Sequence, residues 1–178
     1  MYKYLTVVLA ATAISVVLIA WSNGNAAPKK RADKTNAATS SIDRGRYLVE
    51  IGGCNDCHTE AFAPSGGTIP TSEWLKGSVV GFKGPWGTTY PKNLRQTMSR
   101  MSESDWVSYA KTASGLPPMP WWALKAYTEK DLRDIYAFVR SLGAVGADVP
   151  AVVAPGTEPA GPYIDFNVHN LPTDPTKH

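Results

Sequence analysis

Cys54-Asn55-Asp56-Cys57-His58 is the stretch of this chain whose residue types and spacing carry the most specific chemistry. Two thiols three residues apart on one helical turn can each add to a vinyl group of the same porphyrin. The next residue then lies where an imidazole can ligate the iron. C-x-x-C-H therefore reads as covalent attachment of one haem c through Cys54 and Cys57, with His58 as an axial ligand. The motif uses both cysteines of the chain. A C-x-x-C pair also serves zinc sites and thiol redox centres. Zinc needs four good ligands, and beyond the motif the chain has only His169 and His178, both in a tail. A thioredoxin-like centre needs a strand-helix-strand setting, which the pattern around the motif does not offer.

The ligand opposite His58 decides the chemistry. Histidine-methionine ligation raises the potential and suits electron transfer, whereas an open position suits ligand binding or peroxide chemistry. Three methionines follow the motif, Met98, Met101 and Met119. Met98 and Met101 precede or cap a helix, as ordinary core residues do. Met119 stands between Pro118 and Pro120, whose fixed φ angles would aim the thioether and keep the loop out of helix or ladder. It is the expected second axial ligand, with His169 the alternative. His58 also needs an acceptor for its other ring nitrogen. A backbone carbonyl after the motif is expected there, with Pro64 or Pro70 as rigid places to present it. Trp74, Trp86, Tyr90 and Asn93 are candidate contacts of the haem pocket. Each is equally open to a role in packing or turns.

Four stretches must position these groups. A first helix is expected from about residue 42 to residue 52, capped by Ser41 or Asp43, with Tyr47, Leu48 and Ile51 on one face. Gly45 lies inside it at a cost of roughly 1 kcal/mol relative to alanine, which suggests that another backbone comes close. Residues 60–101 carry so many glycines and prolines that loop should dominate. Ser102 and Asp105 form a variant capping box for a helix over 102–113, with Trp106, Val107 and Ala110 on its apolar side. The strongest periodicity is Leu132, Ile135, Tyr136, Val139 and Leu142, a helix over 129–142 capped by Thr128 and stopped by Gly143. Gly45 offers its stripe a close crossing, for Tyr136 or Phe138.

The rest of the chain bounds the setting. Residues 1–27 read as an export signal, with Lys3, an uncharged run from Leu5 to Ala20 and small residues before Ala27. That run falls short of the roughly 20 residues that span a bilayer, so a membrane role is expected only if residues 5–21 stay as an anchor. Residues 28–40 read as a polar linker with a small basic cluster, and residues 144–178 as a proline-rich extension. That extension is expected to be draped over the domain or disordered, with one docking segment around Tyr163, Ile164 and Phe166. A net charge of +3 does not suggest a nucleic-acid partner.

The order of parts from Ser41 to Gly143 resembles class I c-type cytochromes: Gly45 and Tyr47 on a helix, CxxCH, a long loop, a helix, a Pro-flanked Met and a final aromatic helix. In detail, three stretches are similar to the haem modules of cytochrome subunits of bacterial membrane-bound dehydrogenases. They are Gly87 to Leu94, Met101 to Trp106, and Pro118-Met119-Pro120. Residues 132–142 share the likeness. The resemblance implies a mainly α domain over 41–143, with three to four helices and long loops around one haem. It implies thioethers at Cys54 and Cys57 and axial His58 and Met119. Its expected function is single-electron transfer in the bacterial periplasm, between a dehydrogenase and a respiratory acceptor, with no catalytic residue of its own. Those subunits commonly carry several modules, whereas this chain has a single CxxCH. The alternatives are a peroxidase-like enzyme with an open iron and a gas-binding haem protein.

Overall fold

The computed structural model describes residues 34–168. The expected export signal, the start of the linker, His169 and His178 lie outside them. Six helices and one small sheet make up the described chain: α1 (Lys34–Ile51), α2 (Cys54–His58), a 3-10 turn (Thr71–Glu73), β1 (Gly81–Gly84), β2 (Gly87–Thr89), α3 (Leu94–Ser99), α4 (Glu103–Thr112), α5 (Trp121–Ala126), α6 (Glu129–Ser141) and β3 (Tyr163–Asp165). This corrects the expectation of three to four helices and adds a sheet that was not foreseen. Among the described residues no helix is long and apolar enough to cross a membrane.

The core is built on α6. Leu132, Ile135, Phe138 and Val139 are buried along one side of it, as the 3.6-residue periodicity requires. Thr128 accepts from the Asp131 backbone amide at 3.1 Å and caps its start. The crossing with α1 is very close. A Cβ on Gly45 would lie 2.0 Å from the Asp134 carbonyl oxygen and 2.8 Å from the Phe138 Cβ, so only glycine fits. Phe138, not Tyr136, takes the place opposite Gly45. Ser41 donates to the buried Asp134 carboxylate beside this crossing.

α1 begins eight residues earlier than expected and absorbs the second half of the supposed linker. Residues 34–41 contain neither glycine nor proline, and a helix nucleated in its packed half propagates at little cost. α4 has the full capping box between Ser102 and Asp105 and buries Trp106, Val107 and Ala110. The Trp106 indole N–H donates to the Leu132 carbonyl at 2.9 Å and fastens α4 to the start of α6.

The region expected to be loop contains more order than its glycines suggest. β1 and β2 form an antiparallel hairpin with Phe82 opposite Thr89 and Gly84 opposite Gly87. Asn93 caps α3 by accepting from the Gln96 amide at 3.0 Å. Arg95 on α3 is buried, and its guanidinium donates to the carbonyls of Gly143 at 2.8 Å and Ser72 at 2.9 Å, and also to Leu142. One side chain thus closes the carboxyl end of α6 and joins it to the 3-10 turn.

The extension after Gly143 is described through residue 168, irregular with bends and a turn except for β3 and one bridge. Asn93 donates to the Val145 carbonyl at 2.9 Å, and Val153 pairs with Thr88. β3 then joins the outer side of β1 in parallel, giving the order β2-β1-β3. The docking segment read from Tyr163, Ile164 and Phe166 therefore contains a strand, with Phe166 just beyond its end. Phe166 packs edge-on against Phe82 with centroids 5.5 Å apart.

Candidate functional site

The Cys54–His58 turn is set by what stands on either side of it. Gly53 has φ +66°, a left-handed conformation that breaks α1 and restarts the chain at a new angle. Gly52 leaves room for Tyr127, whose hydroxyl oxygen would lie 2.0 Å from a Cβ placed there. At the far end the Thr59 hydroxyl donates to the Asn55 side-chain oxygen at 2.7 Å and accepts from the Leu75 amide at 2.8 Å. Gly77 donates its amide to the His58 carbonyl at 2.8 Å. The turn is thereby fixed to the loop behind it, with its chemically active side chains left facing forward.

Those side chains line a cleft of about 360 Å³, within the usual range of small-molecule and cofactor sites. Cys54, Cys57 and His58 form one part of its lining, and Met119 and Tyr90 belong to the same cleft. The hairpin adds Phe82 and Thr89, α3 adds Leu94 and Met98, α4 adds Trp106 and Tyr109, and α6 adds Ile135 and Val139. His58 and Met119, 61 residues apart in sequence, thus line one apolar space. Met98 also reaches the cleft but is fully enclosed, whereas Met101 packs against the core and is not part of the lining.

Three expected pocket residues are elsewhere. Trp74 is buried between Phe62 and Phe138, with centroids 5.7 and 6.2 Å away, and its indole N–H donates to the Ile69 carbonyl. Trp86 sits at the hairpin turn against Phe166. Asn93 spends its side chain on capping α3 and holding the extension. All three serve packing and turns, and none lines the cleft. Tyr127 was missed. It stands one residue before the N-cap of α6, where an apolar residue commonly folds back on its helix, and that position was the available signal.

The donor set is neutral. Burial pushes the Cys54 thiol up to about 11 and raises Cys57 as well, with the Asp56 carboxylate adding to both. Both are thiols at neutral pH, the opposite of the lowered pKa that marks a thiol redox centre. His58 is half-buried by area, and desolvation lowers its pKa, partly offset by the hydrogen bond to the Lys92 carbonyl. That bond is 2.7 Å from Nδ1. A carbonyl can only accept, so Nδ1 carries the proton and Nε2 keeps its lone pair. The acceptor is Lys92, not a carbonyl beside Pro64 or Pro70. The chain folds back 34 residues later to supply it.

Met119 is held in a tightly tied loop. Its own carbonyl accepts from the Trp121 amide at 2.9 Å. The Pro117 carbonyl accepts from the Thr89 hydroxyl at 2.8 Å. A Cβ on Gly115 would meet the Trp121 ring at 2.8 Å, so the loop closes directly on that indole. Among the described residues no group of three or more His, Cys, Asp or Glu side chains gathers as a site for a free metal ion.

No family model matches the chain, and no solved structure matches it. Among curated proteins, the fructose dehydrogenase cytochrome subunit of Gluconobacter japonicus is similar at 26% identity over 168 residues, covering 87% of this chain. The chain spans 31% of that protein's length.

Proposed function

We propose that this chain is an exported, monohaem c-type cytochrome that passes single electrons between a dehydrogenase and a respiratory acceptor. The observation that carries the reading is the convergence of Cys54, Cys57, His58 and Met119 on one apolar cleft, with the His58 Nδ1 proton committed to Lys92. The donor set fits haem c: two protonated thiols for the thioethers, one free imidazole nitrogen and one thioether sulfur. Bound there, the group supplies a one-electron iron couple. The likeness to a cytochrome subunit supports the same conclusion and suggests a dehydrogenase as the donor.

On this reading each residue has a limited task. Cys54 and Cys57 would hold the porphyrin. The Lys92 carbonyl sets the His58 ring orientation and strengthens it as a donor. Met119 would offer its thioether sulfur to the iron, and Trp106, Tyr109 and Tyr127 would exclude water from the cleft they line. Residues 1–27 direct export to the periplasm, where haem would be attached. A histidine-methionine site needs no catalytic side chain, since transfer of an electron makes and breaks no bond in the protein.

The test is expression of the full chain in a host that attaches haem outside the cytoplasm. Colour should stay with the polypeptide on a denaturing gel and be lost in the Cys54→Ser, Cys57→Ser double variant. The purified protein should be low-spin, with the weak sulfur-to-iron charge-transfer band in its oxidised spectrum. Met119→Ala should abolish that band and lower the potential. A high-spin protein that binds carbon monoxide rapidly would sink the carrier reading and favour an open-iron enzyme.

A further inference from the structure

Six residues, Gly87 to Lys92, connect to both His58 and the loop that carries Met119. Lys92 supplies the carbonyl that holds His58 Nδ1 at 2.7 Å. Thr89, itself in the cleft lining, donates its hydroxyl to the Pro117 carbonyl at 2.8 Å. Pro117 is two residues before Met119. The segment therefore bears on both sides of the cleft at once.

The C-terminal extension grips the same segment from outside. Thr88 and Val153 exchange two backbone hydrogen bonds, each 2.9 Å. Gly87 approaches so closely that a Cβ there would lie 2.2 Å from the Val153 carbonyl oxygen, and its φ of +95° excludes most other residues. Val152 reaches the cleft itself. Beyond it, β3 fixes the hairpin through β1, with the Phe166 amide donating to the Lys83 carbonyl at 2.7 Å. Thr88 is fully buried under this strap.

We propose that Thr89 is a positioning residue for Met119, and that the strap acts on the iron site through the Val153–Thr88 pairing. The inference rests on the reading of Met119 as axial ligand. A hydrogen bond of ordinary net strength shifts an equilibrium roughly fivefold. Without it the methionine loop leaves the iron more often, and an exogenous ligand gains access in proportion.

Carbon monoxide is the probe, added to the reduced full-length protein. Thr89→Val keeps the branched shape and removes the donor, so carbon monoxide should bind roughly fivefold faster and the charge-transfer band should weaken in the oxidised protein. Thr89→Ser keeps the donor and should resemble the parent. Val153→Pro removes the amide that Thr88 accepts from and should speed binding in the same way. Circular dichroism of each variant checks that it is folded, and Thr89→Val remains decisive if Val153→Pro is not. A parent protein that already lacks the band and binds carbon monoxide at once refutes Met119 ligation itself. A parent with the band, beside a Thr89→Val or folded Val153→Pro variant that binds no faster, overturns the positioning proposal. So does a Thr89→Ser variant as open as Thr89→Val, because packing would then explain both.

Discussion

Replacing Gly45 with alanine sets two effects of known size against each other. In an isolated helix the change would stabilise by roughly 1 kcal/mol. Here the new methyl would lie 2.0 Å from the Asp134 carbonyl oxygen, roughly 1.4 Å inside an ordinary 3.4 Å contact. The atom it strikes is backbone in the middle of α6, so no rotamer can relieve the clash and the two helices must part. Overpacking of this kind costs about 1–3 kcal/mol, and the backbone-to-backbone geometry puts this case at the upper end. Parting the helices also withdraws Phe138 from its contact with Trp74. The net expectation is a loss of about 2 kcal/mol, or a fall in Tm of roughly 4–8 °C for a chain of this size. Urea unfolding followed by circular dichroism measures it, with an unchanged slope showing that the unfolded state is not the cause. A variant as stable as the parent would mean that α1 and α6 do not cross at this glycine, and the positioning of the Cys54 turn by α1 would need another account.

Other substitutions probe the supports of the same frame. Arg95→Met strips the Gly143, Ser72 and Leu142 carbonyls of their donor and should cost about 3 kcal/mol in urea unfolding. Arg95→Lys should recover little of this, because one ammonium cannot reproduce a planar fork, and full recovery would refute the carbonyl clamp. Thr128→Ala removes the α6 cap and should cost about 1 kcal/mol at neutral pH. The Asp131 carboxyl is held below the ordinary aspartate range, first by the Thr128 hydroxyl and further by Arg44. A depressed folded-state pKa contributes stability above the ordinary value of about 3.9 that is lost as pH falls through the lower one. The parent should therefore lose stability on acidification below about pH 4. Thr128→Ala should lose less there, and identical acid profiles would contradict the linkage.

The site was more legible than the fold around it. C-x-x-C-H is a local pattern that can be read without knowing any distant partner, and a methionine between two prolines is equally local. The structure places Cys54, Cys57, His58 and Met119 on one cleft. Helices α4 and α6 were readable for a similar reason, since a capping residue and a 3.6-residue stripe both lie within one segment. What failed depended on distant partners. β1 is four residues with glycine at each end, too short and too plain to carry an alternation. Its strand character comes from β2 and from β3, which joins it from the far end of the chain. Trp74, Trp86 and Asn93 were chosen by residue type, but which way a tryptophan points is settled by its neighbours in space. Lys92 could not have been found from sequence, because what it contributes is a main-chain carbonyl that every residue possesses.

The pairing of β3 with β1 also orders events in time. Gly84 and Gly87 pair across three residues of sequence, whereas Gly81 and Tyr163 pair across 82. Closing the longer loop costs about 3 kcal/mol more in chain entropy, so it gains from waiting until the helices have formed. The hairpin can therefore stand before the strap reaches it, and the strap is placed to complete the wall last. Until then the cleft is lined on the side of α4 and α6 but unbraced at Thr88. A large flat ligand could enter from that side before Val153 seals it, so the strap acts as a late-closing wall for a cleft whose Cys54–His58 turn lies far earlier in the sequence.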